Sequence, residues 1–371
     1  MTGIRVHGTC RLPIGSCIMT LCILVATFTA VHSASAAEAD IPQIRKKGTA
    51  TQLIVDGEPF VMIAGELHNS SATDLEYMKD LWPRLEALHL NTVLAGLPWD
   101  LVEAEEGEYD FTIIDGMIRQ AREHDMRLVF LWFASWKNGV SSYCPGWVLR
   151  DTERFPRCKG SSNRNTKNVL TPLSEENMRA DARAFAAVMR HIREIDSEHR
   201  TVIMMQVENE VGIKPEPRDL SETADQAFRS VVPEPLMDYL VEHKDSLNPE
   251  LRAHWEAAGG KESGTWAEVF GEAVHADEIF MAWHYATYMN AVARSGKAEY
   301  ALPMYVNAWL RGPGSEPGTF AKPGVYLSGG PLAHVIDVWR AAAPEIDFYA
   351  PDIYLPDFKA ITADYTQSGN P

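Results

Sequence analysis

Apolar runs without alternation recur along the chain, and each is followed by a segment with helical spacing. The runs cover residues 61–66, 91–97, 127–133, 201–208, 302–308 and 346–353. Residues 172–196 are the clearest helix, with Phe185, Met189 and Ile192 on one face at three-to-four spacing. Continuously apolar strands that alternate with helices are typical of a parallel sheet buried on both faces. The pattern therefore predicts six β-strands, each followed by helix.

Turn and breaker residues predict the connections. Asp56-Gly57 separates two apolar runs and predicts a small hairpin, whose second arm would run from Phe60 to Leu67. Pro83 is expected to split or kink the first long helix. A long helical insertion, residues 221–295, would separate the fourth strand from the fifth, and residues 355–368 predict a final helix.

A parallel sheet of this kind has two ways to close. An open doubly wound sheet binds nucleotides through a Gly-rich turn after its first strand, but here that strand ends in "GELHNSS". A (β/α)8 TIM barrel instead gathers polar and aromatic residues at the carboxyl ends of its strands. Every strand here ends in that way: Glu66 to Asn69, Pro98 to Asp100, Ser135 to Asn138, Glu208 to Glu210, Asn307 to Trp309 and Asp352 to Tyr354. We therefore predict a (β/α)8 barrel of which about six βα units are present.

The N-terminus has the pattern of an export signal. Arg5 and Arg11 precede an apolar stretch, which is followed by Ala34-x-Ala36. We predict a signal peptide over residues 1–36, a catalytic domain over residues 37–371, and a periplasmic or extracellular location; the alternative is an uncleaved anchor. The net charge of −17 argues against a nucleic-acid partner, and after cleavage against a membrane partner.

The cysteines leave two alternatives open. Three of the five lie within the predicted signal, so Cys144 and Cys158 remain in a loop-like stretch. In an exported protein they either form a disulfide or stay as two thiols. Cysteine and histidine spacing predicts no metal site, and we expect no cofactor.

The strand ends carry the chemistry of a sugar-binding cleft. Indole rings stack on sugar rings, while carboxylates and amides bind hydroxyl groups. Glycoside hydrolysis requires two carboxyl groups, and the fourth strand ends in Glu208 and Glu210 with Asn209 between them. The alternative is that both glutamates are structural, with all their hydrogen bonds made inside the protein.

"QVENEVG", residues 206–212, resembles the strand-four motif of glycoside hydrolase families 35 and 42, the β-galactosidases of a large clan of retaining barrels. "LPWDLVEAEEGEYDF" resembles the family 35 stretch after strand two, although Val102 replaces its histidine. "GELHNS" is similar to the strand-one motif, with His68 at the matching position. The resemblance implies that Glu210 is the general acid/base and that Asn209 binds the sugar 2-hydroxyl.

The same resemblance places the nucleophilic glutamate at the end of strand seven, and the pattern indicates only six strands. We therefore expect the sequence to be the N-terminal part of a longer enzyme, without its nucleophile and inactive alone. Glu208 is rejected as a nucleophile because it is a same-strand neighbour of Glu210 and the two cannot flank a sugar.

The predicted function is hydrolysis of terminal β-galactosides with retention, on a carbohydrate substrate. The alternatives are a non-catalytic glycan-binding barrel, or another β-glycosidase or endoglycanase of the clan. The predicted substrate-binding residues are His68, Trp99, Trp136, Asn138, Asn209, Trp309 and Tyr354.

Overall fold

The structure is a computed structural model that describes residues 41–139, 141–161, 169–316 and 319–371. The predicted signal peptide, residues 1–36, lies outside the described residues.

A small antiparallel sheet precedes the barrel strands. It consists of β1 (Gln43–Lys47), β2 (Ala50–Val55) and β3 (Glu58–Pro59). Asp56 and Gly57 link β2 to β3 and have φ angles of 54° and 80°. Two successive left-handed residues define the turn type that matches the twist of a hairpin, so the predicted hairpin is confirmed. The predicted second arm, Phe60 to Leu67, is wrong: the hairpin pairs through β3, which ends at Pro59, and Ala64–Glu66 belongs to the parallel sheet.

The main sheet is parallel and has six strands in chain order, which confirms the predicted incomplete (β/α)8 barrel. The strands are β4 (Ala64–Glu66), β5 (Thr92–Pro98), β6 (Arg127–Phe133), β7 (Val202–Val207), β8 (Met304–Trp309) and β9 (Phe348–Asp352). Because all six run in the same direction, their carboxyl ends lie at one end of the sheet.

Helices follow the strands as the pattern predicts. They are α1 (Leu75–Ala87), α2 (Trp99–Val102), α3 (Thr112–Glu123), α4 (Gly146–Arg150), α5 (Glu175–Asp196), α6 (Glu222–Phe228), α7 (Glu234–Glu242), α8 (Pro249–Ala257), α9 (Trp266–Phe270), α10 (Val274–Glu299), α11 (Ile336–Ala342) and α12 (Phe358–Tyr365). Short 3₁₀ turns cover Ser71–Thr73, Ala333–Val335 and Gln367–Gly369. Among these described helices, none is both long and apolar enough to cross a membrane.

Three features of the helices can be compared with the sequence pattern. Pro83 lies inside α1 without dividing it, so the expected split is wrong. The predicted insertion between the fourth and fifth strands is confirmed as α6 to α10. Ser174 is the N-cap of α5. Its side chain accepts a hydrogen bond from the backbone N–H of Asn177.

Strand β6 shows why the apolar runs lack alternation. Val129, Leu131 and Phe133 belong to the interior cluster that also includes Val55 of the hairpin sheet. Trp132 faces the other way and contacts Phe185 of α5, with ring centroids 5.7 Å apart. Both faces of the strand are thus covered, and every position except the first is buried.

The two cysteines of the barrel are not joined to one another. Both are buried thiols, Cys144 donating to the carbonyl of Ala134 and Cys158 to that of Leu170, at 3.5 Å each. Burial raises the pKa of each thiol well above its usual value. The disulfide alternative is therefore wrong, because each thiol hydrogen-bonds to a backbone carbonyl instead of bonding to the other cysteine.

Candidate active site at the carboxyl ends of the strands

The segment after β7 has an unusual backbone. Glu208 and Glu210 have φ angles of 60° and 46°, a left-handed conformation that is uncommon for residues other than glycine. Such conformations cost about 1–3 kcal/mol each and persist only where the surroundings hold them, most often at functional sites. The two residues break the strand alternation, so their side chains enter different environments.

Glu208 is fully buried and serves the neighbouring strand. Its carboxyl oxygens accept from the backbone N–H groups of Ser135 at 2.9 Å, Trp136 at 2.8 Å and Ala134 at 3.3 Å. These are the residues that follow β6, so Glu208 ties the end of β6 to the end of β7. Burial and the neighbouring Asp181 raise the pKa of Glu208 well above its usual value.

Asp181 of α5 completes this buried network. Its oxygens accept from the Trp132 indole at 2.9 Å, the Ser135 hydroxyl at 2.6 Å and the Tyr288 hydroxyl at 3.1 Å. All of these side chains are buried. We call Glu208 and Asp181 the inner carboxyl pair.

Glu210 contacts a different set of residues. Its backbone N–H donates to the Oδ1 atom of Asn307, and its Oε1 atom accepts from the hydroxyl of Tyr354, both at 2.8 Å. Its side chain also lies within hydrogen-bonding reach of the Asp352 carboxyl group. We call Glu210 and Asp352 the outer carboxyl pair. Its members lie at the carboxyl ends of β7 and β9, and Asn307 of β8 contacts both.

An amide network supports the outer pair. The Nδ2 atom of Asn307 donates to Asn209 Oδ1 at 3.1 Å and to Asp352 Oδ2 at 2.8 Å. Gln206 also donates to Asn209 Oδ1, and Asn209 donates to the carbonyl of Lys137 at 2.7 Å. Asn209 is therefore oriented by protein partners before any ligand binds.

Charge is concentrated around the outer pair. Burial, followed by the Glu210 carboxyl, raises the pKa of Asp352 to about 8. Burial also raises the pKa of Glu66 at the end of β4, an effect that Lys137 opposes. Burial and Glu210 raise the pKa of the Tyr354 hydroxyl, so this group stays a hydrogen-bond donor at neutral pH.

The predicted tryptophans separate into two groups. Trp99 and Trp136 are fully buried; Trp99 donates to Glu103, and Trp136 donates to the Leu170 carbonyl. Protein atoms cover their ring faces, which corrects the prediction that they stack on sugar. Trp309 is partly exposed, with Lys214 Nζ 4.4 Å from its ring centroid and the Tyr354 ring 6.4 Å away.

His68 and Asn138 make local contacts after the ends of β4 and β6. The exposed His68 lines an open cavity of about 310 Å³ with Ser70, Asp74 and Tyr77, and none of the outer-pair residues lines it. Asn138 is partly buried, and its side chain accepts from the backbone and hydroxyl of Ser141, which forms a turn. The structure thus brings Glu210, Asn209 and Tyr354 together, with Trp309 beside them.

Asn307 and Asp352 are site residues that the sequence predictions missed. One feature of the sequence indicates their role, which is that each lies at the end of a predicted strand. A separate group, Glu250, His254 and His275, has geometry that could hold a metal ion. Sequence spacing does not indicate this group, because His275 belongs to a different helix from the other two residues. Arg311 already binds both oxygens of Glu250, at 2.6 and 2.8 Å, so we assign this group no metal.

A family model built from known proteins matches the segment that contains the Glu208–Glu210 turn. The family model for glycoside hydrolase family 42, described as β-galactosidase, matches residues 69–269, more than half of the chain. The chain belongs to this β-galactosidase family. The matched segment includes β5, β6, β7 and the Glu208–Glu210 turn.

Individual relatives match shorter segments. A β-galactosidase of Xanthomonas manihotis is 27% identical over 152 residues, which cover 38% of this chain and 24% of that protein. β-Galactosidase 8 of Oryza sativa subsp. japonica is 38% identical over 74 residues, covering 19% of this chain and 11% of that protein. The matches thus span a quarter or less of these relatives.

Among solved structures, the catalytic domain of β-amylase from Paenibacillus polymyxa superposes with a TM-score of 0.52 at 11% identity, covering 78% of this chain and 75% of that chain. At this identity the likeness concerns the fold alone, and it fits a (β/α)8 barrel.

Proposed function

We propose that this chain carries the general acid/base of a retaining β-galactosidase-like glycoside hydrolase, and that Glu210 is that residue. The observation that carries the proposal is the contrast within one turn. Glu208 has its oxygens occupied by three backbone N–H groups, whereas Glu210 is bonded by Tyr354 and Asp352 at the strand ends. The family supports hydrolysis of a glycoside.

In the proposed reaction Glu210 acts twice. It first donates a proton to the glycosidic oxygen as the bond to the anomeric carbon breaks. It then removes a proton from the water that attacks the glycosyl-enzyme, which restores the starting state. Asn209, fixed by Gln206 and Asn307, is proposed to bind the 2-hydroxyl of the sugar.

We assign the nucleophile to none of the described residues. Retaining catalysis requires carboxyl groups roughly 5–5.5 Å apart on opposite sides of the anomeric carbon. Asp352 is within hydrogen-bonding reach of Glu210, which leaves no room for a sugar between them. Glu208 is fully buried.

Further sugar contacts are proposed for the accessible aromatic residues. The exposed Tyr354 and the partly exposed Trp309 present ring surface beside Glu210. His68 and Asn138 are retained as proposed contacts for more distant parts of a substrate. Trp99 and Trp136 are proposed only to support the barrel.

The test is the leaving-group dependence of hydrolysis in the full-length protein. Loss of a general acid matters most when the leaving group is poor, so Glu210→Gln should slow hydrolysis of an alkyl β-galactoside by about 10²–10⁴-fold. An activated aryl galactoside should lose less. Glu216→Gln, which replaces a glutamate that bonds Ser161 outside the outer pair, is the matched control and should leave both rates unchanged. Equal losses on both substrates would contradict the proposal.

We also propose that the protein is exported after cleavage near Ala36. Amino-terminal sequencing of the exported protein should begin near Ala37. Released protein with an intact Met1 would contradict this.

A further inference from the structure

The outer carboxyl pair places two acids within hydrogen-bonding reach of each other. Asp352 ends β9 and Glu210 follows β7, and their side chains lie within hydrogen-bonding reach. Two ionised carboxylates at that separation repel each other and offer only acceptors, so a direct hydrogen bond between them requires one proton.

Asn307 holds both members of the pair from β8. Its Oδ1 atom accepts from the backbone N–H of Glu210, and its Nδ2 atom donates to Asp352 Oδ2, both at 2.8 Å. Tyr354 donates to Glu210 Oε1 at 2.8 Å. Each carboxyl therefore has one neutral donor among the described residues, and a proton between the two carboxyls would complete the hydrogen bond that joins them.

We propose that Asp352 is the positioning residue of the acid/base: it shares a single proton with Glu210 and keeps that proton available to the glycosidic oxygen at neutral pH. The proposal rests on the function proposed for Glu210. Donation to the leaving oxygen removes the pair's only proton and leaves two carboxylates, which the N–H of Asn307 and the O–H of Tyr354 stabilise. The attacking water then returns one proton to the pair.

The groups that face Asp352 determine where the pair titrates. Burial and Glu210 raise the pKa of Asp352, and Glu66 adds a smaller effect in the same direction. The other titratable side chains that interact with it are tyrosines: Tyr305, Tyr354 and Tyr365. Two lysines lie around the site: Lys137 acts on Glu66, and Lys214 Nζ lies 4.4 Å from the centroid of the Trp309 ring. Since the pKa of Asp352 is about 8, the pair keeps its proton at neutral pH.

The direct test is a carboxyl titration by NMR of the full-length protein with ¹³C-labelled aspartate. The Asp352 signal, assigned by its loss in Asp352→Asn, should titrate near pH 8. In Glu210→Gln its midpoint should fall by a unit or more, because the proton-sharing partner and its charge are gone. Glu66→Gln is the matched control: it removes a carboxylate that acts through charge alone, and the shift should be smaller.

A second readout uses the pH dependence of galactoside hydrolysis. Asp352→Asn replaces the carboxyl that shares the proton with an amide, whose oxygen can keep the bond from Asn307 while its NH2 group faces Glu210. The alkaline limb of kcat/KM should therefore move to lower pH, and Asp352→Glu should partly restore it. A purely structural role would lower the rate without moving the limb.

Two results would overturn the inference. One is an Asp352 midpoint near the ordinary aspartate value; the other is a midpoint that Glu210→Gln leaves unchanged. If instead the titration behaves as expected but Glu210→Gln leaves hydrolysis of the alkyl galactoside intact, the proton-sharing pair exists while the proposed function fails.

Discussion

The two carboxyl pairs of this barrel begin two residues apart in the chain and have different surroundings. In the inner pair, Glu208 and Asp181 receive donors from three backbone N–H groups, an indole and two hydroxyls, all within the core. In the outer pair, Glu210 and Asp352 receive one donor each from Tyr354 and Asn307 and otherwise face each other. A carboxyl that accepts three fixed donors holds neighbouring segments together, whereas one with a single donor has lone pairs available to exchange a proton with a ligand.

Removal of the inner glutamate should give the largest loss of stability. Glu208→Ala leaves the N–H groups of Ala134, Ser135 and Trp136 buried without an acceptor and leaves Asp181 without its partner. We expect the free energy of unfolding to fall by roughly 3–5 kcal/mol, since each buried unsatisfied group costs about 1–3 kcal/mol. Glu210→Ala also removes a buried carboxyl but leaves only the Tyr354 hydroxyl without its acceptor, so it should cost less, about 1–2 kcal/mol. Urea unfolding of both variants measures the difference, and equal losses would contradict the contrast.

A pair of tyrosine variants sharpens the same comparison. Tyr288→Phe removes a buried hydroxyl that bonds Asp181 and Ser135, so the free energy of unfolding should fall by about 1–3 kcal/mol. Tyr354→Phe removes an exposed hydroxyl, and stability should stay within about 0.5 kcal/mol. Its effect should appear in hydrolysis instead, as a several-fold loss of kcat/KM from a hydrogen bond worth about 1 kcal/mol. A loss of stability in Tyr354→Phe, together with unchanged stability in Tyr288→Phe, would contradict the account.

The outer pair should also make stability depend on pH. The pKa of Asp352 is raised to about 8 in the folded protein, above its unfolded value of about 3.9. The folded state therefore binds the proton more tightly, and this contribution is fully present below the unfolded pKa and is lost as pH rises towards 8. Between these values, Asp352→Asn should lose less stability with rising pH than the unsubstituted protein. Thermal or urea unfolding at several pH values measures this. If the stability of both proteins changed with pH in the same way, the raised pKa of Asp352 would be contradicted.

The smallest expected effect concerns the thiol beside the inner pair. Burial, Glu208 and Asp181 raise the pKa of Cys144, and burial also raises that of Cys158. Both should resist alkylation in the folded protein and react fully after unfolding without reductant. Peptide mass spectrometry distinguishes this from a disulfide, which would block both sites even after unfolding.

The fold was largely predictable because its signals are local. A run such as 127–133 is apolar at nearly every position, and only a strand covered on both faces explains it. The Asp56-Gly57 turn was equally readable, since its dihedral angles suit this pair of residues. Pro83 was expected to split or kink the first helix; the helix continues through it, with Met78 and Trp82 buried, and the kink stays a prediction.

The site was only partly predictable because it depends on register and side-chain direction. Glu210 could be selected by its position, but the left-handed turn that separates it from Glu208 has no marker in the sequence. Asp352 and Asn307 come together through the pairing of β8 with β9, in which Asp352 lies opposite Trp309. The sequence around Trp99 does not distinguish a buried tryptophan from one that stacks on sugar. Its burial follows from the packing of Trp132 and Trp147 against it.

Chemical rescue tests the central claim, that Glu210 and not Glu208 transfers the proton, most directly. In full-length Glu210→Ala, hydrolysis of an activated aryl β-galactoside should be slow after the glycosyl-enzyme forms, because no base activates water. Azide needs no such base, so it should restore turnover and yield a β-galactosyl azide. Folded Glu208→Gln should show no rescue. Rescue of Glu208→Gln with none in Glu210→Ala would reverse the assignment and contradict the account.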